Sequence, residues 1–225
     1  MNELVFALHI FLSLLFLLFS FRLGKEAITA FLSLSAVLAN LFVVKQTTLF
    51  GLTVTCSDVY AVQAIFALNL LQEYYGKAQA QKASVIGFGA MIFFACMAKM
   101  HLLYPPALVD TTQRAFMTIL EFTPRIITAS IGTFFLVQRF DIAFFRLLRR
   151  AFRGRYFALR TALSLVVSQS VDTVLFAFLG LYGIADHLVE VILFSLLIKF
   201  SVIWCTVPFA LVAKRFVPKE AACSK

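Results

Sequence analysis

Asp172 stands in RTALSLVVSQSVDTVLFAFLGLYG, residues 160–183, a run apolar and long enough to cross a bilayer. Ser168 and Gln169 lie within about one turn of it, so a hydroxyl, an amide and a carboxylate share the middle of one apolar segment. A carboxylate at that depth costs about 3 kcal/mol or more unless it is paired, hydrated or neutral, which makes it a marker of a substrate or ion pathway. Lys199 lies at mid-depth in the next apolar run, antiparallel to the first, so the two charges can meet. They would either form a buried pair that fixes the register of two helices or face a substrate cavity.

Further polar groups fall in other apolar runs. The segment 50–71 carries Asp58, Gln63 and Asn69, with Glu73 just beyond it. These are costlier in lipid than its Thr and Ser residues, which bond their own backbone or a neighbouring helix. Asp58 and Glu73 lie toward its two ends, where solvation is the alternative to a binding role. Glu121 and Arg125 are four residues apart around Pro124, a spacing for a local salt bridge beside a bend that suits a cavity wall. Gln138-Arg-Phe-Asp141 followed by Phe145 repeats the pattern of Gln169-Ser-Val-Asp172 followed by Phe176. Each copy puts an amide and a carboxylate side by side on one helix face.

Other chemistries lack their residues. Cys56, Cys96, Cys205 and Cys223 are scattered, and His9, His101 and His187 fall in different segments, so no metal site or disulfide framework is indicated. No phosphate-binding GxxxxGK[ST], HExxH or Gly-x-Ser nucleophile site occurs, which argues against ATP hydrolysis by this chain and against an intramembrane enzyme. The net charge of +9 is explained by membrane topology rather than by nucleic-acid binding.

The elements that must position these groups follow from composition: 62% of the 225 residues are hydrophobic and only 14% charged, so the chain is an integral membrane protein of one transporter domain, 1–225. The expected architecture is an all-α polytopic bundle of six to seven transmembrane helices at about 4–21, 27–44, 50–71, 83–104, 116–137, 160–183 and 188–212. The first run lacks the basic start and cleavage site of a signal peptide and reads as a retained span. Pro105-Pro106 ends the fourth run, and an arginine-rich connector, 139–160, separates the fifth from the sixth. With that connector placed inside, Lys45, Lys99 and Arg114 alone among the 20 Lys and Arg fall in outer loops, while Arg125 and Lys199 stay in spans. The N-terminus is therefore expected outside and the C-terminus inside.

ANLFVVK (39–45), FGLTVT (50–55), the stretch from Asn69 through Glu73 to Tyr75-Gly76-Lys77, PRIITAS (124–130) and SQSVDTVLF (168–176) resemble the YhhQ-like queuosine precursor transporters, also called the vitamin uptake transporter family. The likeness runs from about Leu23 to Pro208. It implies import across the inner membrane of a 7-deazaguanine such as preQ0, preQ1 or queuine, for salvage into tRNA queuosine. The chain departs from the family where Asn69 replaces an acidic residue and where Arg160-Thr161-Ala162 stands for Arg-Asn-Asn, so the choice among the three bases stays open.

A deazaguanine offers a ring N–H beside an exocyclic amine, which one carboxylate can accept with both oxygens, and a carbonyl that needs a donor. Asp172 is the first candidate for that carboxylate. Gln169, Gln63 and Asn69 are its amide partners, Arg125 or Lys199 the donor, and Asp58, Glu73 and Ser130 complete the expected substrate site. Membrane lipid is the other expected partner, and no cofactor is expected. The alternative function is a binding subunit that depends on a separate ATPase module.

Overall fold

The structure, a computed structural model, describes residues 1–121, 124–183 and 188–213, without the side chains of Thr53, 124–127 and Leu181. In chain order it contains α1 (Asn2–Leu23), α2 (Lys25–Phe42), a hairpin of β1 (Gln46–Leu49) and β2 (Leu52–Thr55), α3 (Asp58–Tyr75), α4 (Lys77–Leu102), the short α5 (Gln113–Leu120), α6 (Pro124–Ala151), α7 (Phe157–Phe176) with a π turn (Ala177–Leu181), and α8 (Leu188–Ala213). Among the described residues α1, α2, α4, α7 with its π turn, and α8 are long and apolar enough to cross a membrane. The protein is a multi-pass, all-α membrane bundle.

The two remaining long helices owe their polarity to their positions. α3 is buried along almost its whole length, packed by α1, α2, α4, α6, α7 and α8. Its Gln63, Asn69 and Gln72 therefore meet protein rather than lipid. α6 buries Val137, Ile142, Phe145 and Leu148 on one face, and Arg146 and Arg150 project from the other.

Four expected boundaries are corrected. The run 50–71 is not helical throughout, because Phe50 and Gly51 form a two-residue turn with φ of 51° and 81° and Gln46–Thr55 closes as a hairpin. Left-handed dihedrals at both turn residues match the twist of paired strands, and the flanking Thr and Val favour extended backbone. Helix 116–137 is also replaced. α5 ends at Leu120, and Pro124 opens α6, where its missing N–H costs nothing. Glu121 and Arg125 consequently do not share a helix, and the salt bridge expected from their spacing falls on an Arg125 side chain outside the described residues. Finally, the arginine-rich stretch expected as a connector is helical as far as Ala151, and α4 begins at Lys77 rather than near 83.

A single glycine joins α1 to α2, and another joins α3 to α4. Gly24 (φ 114°, ψ −175°) and Gly76 (φ 86°, ψ 169°) adopt nearly the same conformation, one essentially restricted to glycine.

Candidate functional site

A cavity of about 530 Å³ lies between α2, the hairpin, α3, α6, α7 and α8. Lys199 forms its ionic centre. The Lys199 ammonium lies 2.6 Å from Asp172 Oδ2 and 3.7 Å from Asp58 Oδ1, and Ser195 donates to Asp58 Oδ2 at 3.2 Å. One base thus sits between two acids brought from three helices. Lysine has three N–H donors and so can serve both carboxylates and a third acceptor in the cavity. The first turn of α3 reaches this level because the hairpin, not helix, fills the space before it. Lys199 lies roughly 16 Å along α8 from Leu188, taking the helical rise per residue.

Gln169, one turn before Thr173 on α7, donates to the Ala61 carbonyl at 3.0 Å, which ties α7 to α3 and leaves Oε1 without a protein partner. Ser130 of α6 donates to Asn40 Oδ1 of α2 at 2.5 Å, and both line the cavity. Phe134, Phe176 and Phe194 supply aromatic wall. Gln138 and Thr133, also in the lining, have buried side-chain polar atoms that no protein group meets. A pocket with apolar walls and a few converging polar groups, its volume within the roughly 300–1,000 Å³ usual for small-molecule sites, has the character of a small-molecule site.

Five of the residues singled out from sequence, Asp172, Gln169, Lys199, Asp58 and Ser130, therefore line one cavity. Three do not. Gln63 donates to Ser13 Oγ of α1 at 2.6 Å, an interhelical tie. Asn69 is fully buried with neither amide atom bonded. Glu73, near the far end of α3, accepts both Arg160 Nη atoms at 2.9 and 3.0 Å. Arg160 is completely buried, donates also to the Arg155 and Gly154 carbonyls, and stacks on Phe145 and Phe157. That pair clamps α3 to α7 away from the cavity. Arg125 has its side chain outside the described residues.

Sequence reasoning passed over Asn40, Ser195 and Gln138 in the cavity, and Asp141 beside it. Asn40 and Ser195 are common polar residues in otherwise apolar runs and carry little signal. Gln138 and Asp141 had one, the repeated Gln-x-x-Asp pattern, which is weak by itself because so short a match arises easily in a biased composition.

Comparison with known proteins supports the same picture. Residues 55–213, from the hairpin to the end of α8, match a family model described as "Putative vitamin uptake transporter". A protein of Bacillus subtilis (strain 168) named "Probable queuosine precursor transporter" is 37% identical over 208 residues, covering 91% of this chain and 90% of its own. No solved structure matches significantly. A multi-pass bundle enclosing a polar cavity, matched over most of its length on both counts, is a transporter and not an enzyme, and the chain belongs to the vitamin uptake transporter family.

Proposed function

We propose that the protein imports queuosine precursors, 7-deazaguanine bases such as preQ0, preQ1 or queuine, across the cytoplasmic (inner) membrane, and that the central cavity is its substrate site. The observation that carries this is Lys199 held between Asp172 and Asp58 inside a cavity with aromatic walls, in a chain 37% identical to a protein named as a transporter of such precursors.

Asp172 accepts the adjacent N–H and amine of the base with Oδ1 and the second lone pair of Oδ2, Lys199 donates to its carbonyl, and Gln169 Oε1 accepts from a remaining N–H. Asp58 and Ser130 complete the polar rim, and the phenylalanines cover the ring faces. The whole chain acts as one domain of seven crossings, α1–α4 and α6–α8, with its N-terminus outside and C-terminus inside. The hairpin and the cavity then lie toward the outer face, and the Glu73–Arg160 clamp toward the cytoplasm.

Complementation tests the proposal. The chain is expressed in cells that neither make nor import the base and that lack ATPase modules of the binding-subunit kind, and preQ0, preQ1 or queuine is supplied. Queuosine should reappear in tRNA with at least one of them. No restoration by any base would remove the proposed function.

A further inference from the structure

Asp141 is the one acidic side chain in the bundle interior with no basic partner among the described residues. It is completely buried, one helical turn beyond the cavity-lining Gln138 on α6. Oδ1 accepts the Ser164 and Ser168 hydroxyls of α7 at 2.5 and 2.7 Å, and Oδ2 has no protein partner. Nearby charges are engaged elsewhere. Arg139 lies over the Phe135 ring, 5.0 Å from its centroid, and Arg146 is exposed. Arg160 and Glu73 saturate each other, with Arg149 at 3.8 Å from Glu73. On α4, Lys82 is exposed and Lys77 stands at the helix start beside Gly76. The Lys199 group belongs to the cavity itself.

An ionised carboxylate in such a place, with hydroxyls but no counter-charge, is strongly disfavoured unless a cation accompanies it. A carboxylate whose charge no protein group offsets, held by two hydroxyls, is a site for a proton. Gln138 gives that site a route to the cargo. It is three residues away on the same helix face, fully buried, and neither amide atom is bonded. With a proton on Oδ2, a small rotation would let Asp141 donate to Gln138 Oε1, and the amide would turn its N–H donors to the cavity. When the proton leaves, Gln138 would instead donate to Oδ2 and present its carbonyl oxygen to the cavity.

We propose that Asp141, with Ser164, Ser168 and Gln138, is a proton-coupling site: a proton from the outer side rides inward on Asp141 as the base rides in the cavity, and both leave on the cytoplasmic side. This rests on the transport reading above. Proton and cargo are linked because Gln138 offers donors in one state and an acceptor in the other, so each binding event changes the other's free energy.

The test uses the full chain reconstituted in proteoliposomes, with radiolabelled preQ0, preQ1 and queuine offered in parallel. An inward proton gradient should raise accumulation of the transported base at least tenfold, and the protonophore CCCP should abolish the rise. Uptake of none of the bases overturns the transport reading itself. Uptake that ignores the gradient in the unaltered protein overturns proton coupling while leaving transport standing. Asp141→Asn, a neutral isostere of the protonated side chain, should keep base exchange at zero gradient and lose gradient-driven accumulation. Retained accumulation in that variant removes Asp141 from the proposal. Should Asp141→Asn fail to insert, Ser164→Ala/Ser168→Ala replaces it. That variant should shift the pH profile of uptake, and an unshifted profile counts against the site.

Discussion

Asp172 and Lys199 make unequal test positions. In Asp172→Asn the ammonium keeps Asp58 as a partner at 3.7 Å, so the bundle stays compensated while the cargo loses its carboxylate. We expect membrane insertion to be retained and affinity to fall by about 2 kcal/mol, roughly thirtyfold, as for a buried polar group left unpaired. Direct binding of the labelled base to purified protein measures it, and unchanged affinity would retire Asp172 as a ligand. Lys199→Met instead strands two carboxylates, so the loss of function it causes would mix with misfolding. Arg160 is the stability counterpart. Removing one partner of a buried, bidentate pair costs about 3–5 kcal/mol, so Arg160→Ala should unfold at markedly lower temperature in detergent. Arg160→Lys should recover only part of the loss, because an ammonium cannot reproduce the planar fork on Glu73 or the stacking on Phe145 and Phe157.

At the scale of elements, the joint between α3 and α4 offers a clean backbone test. A Cβ at Gly76 would meet nothing within 4 Å, so Gly76→Ala is strained only through its φ of 86°. Such strain costs about 1–3 kcal/mol, and thermal unfolding in detergent should show a loss of that order without a change in base affinity. The immediate restart of helix at Lys77 was not legible in the sequence, whereas the outlines of α1, α2 and α8 were, because long apolar runs ending at Gly or basic residues have few competing readings. The hairpin was not. Its run is as apolar as a helix of the same length, and a Phe-Gly turn is a weaker signal than Asn-Gly. The second half of α6, beyond Val137, was hidden for the opposite reason. Its many arginines read as loop, although they occupy the faces that Val137, Ile142 and Phe145 leave free. The cavity was half-legible for the same cause: Asp172 and Lys199 stand out against apolar surroundings, whereas Asp141 is camouflaged by charged neighbours that point elsewhere.

For the whole molecule, the proposed topology has a direct readout. A green fluorescent protein fused after Lys225 should fluoresce, since it folds in the cytoplasm, whereas alkaline phosphatase fused at the same point should be inactive. The reverse pair of results would invert the bundle and move the cavity mouth to the cytoplasmic face. That outcome would also put the clamp at Glu73 on the outer side.

The one-residue joints at Gly24 and Gly76 divide the molecule mechanically. Each turns the chain back with no slack, so α1 with α2, and α3 with α4, can travel only as paired rods. Longer described links, residues 103–112 between α4 and α5 and 152–156 between α6 and α7, leave the later helices less tightly tied. Rocking during transport should therefore fall to the second half of the sequence, swinging against a stiff frame made by the first four helices.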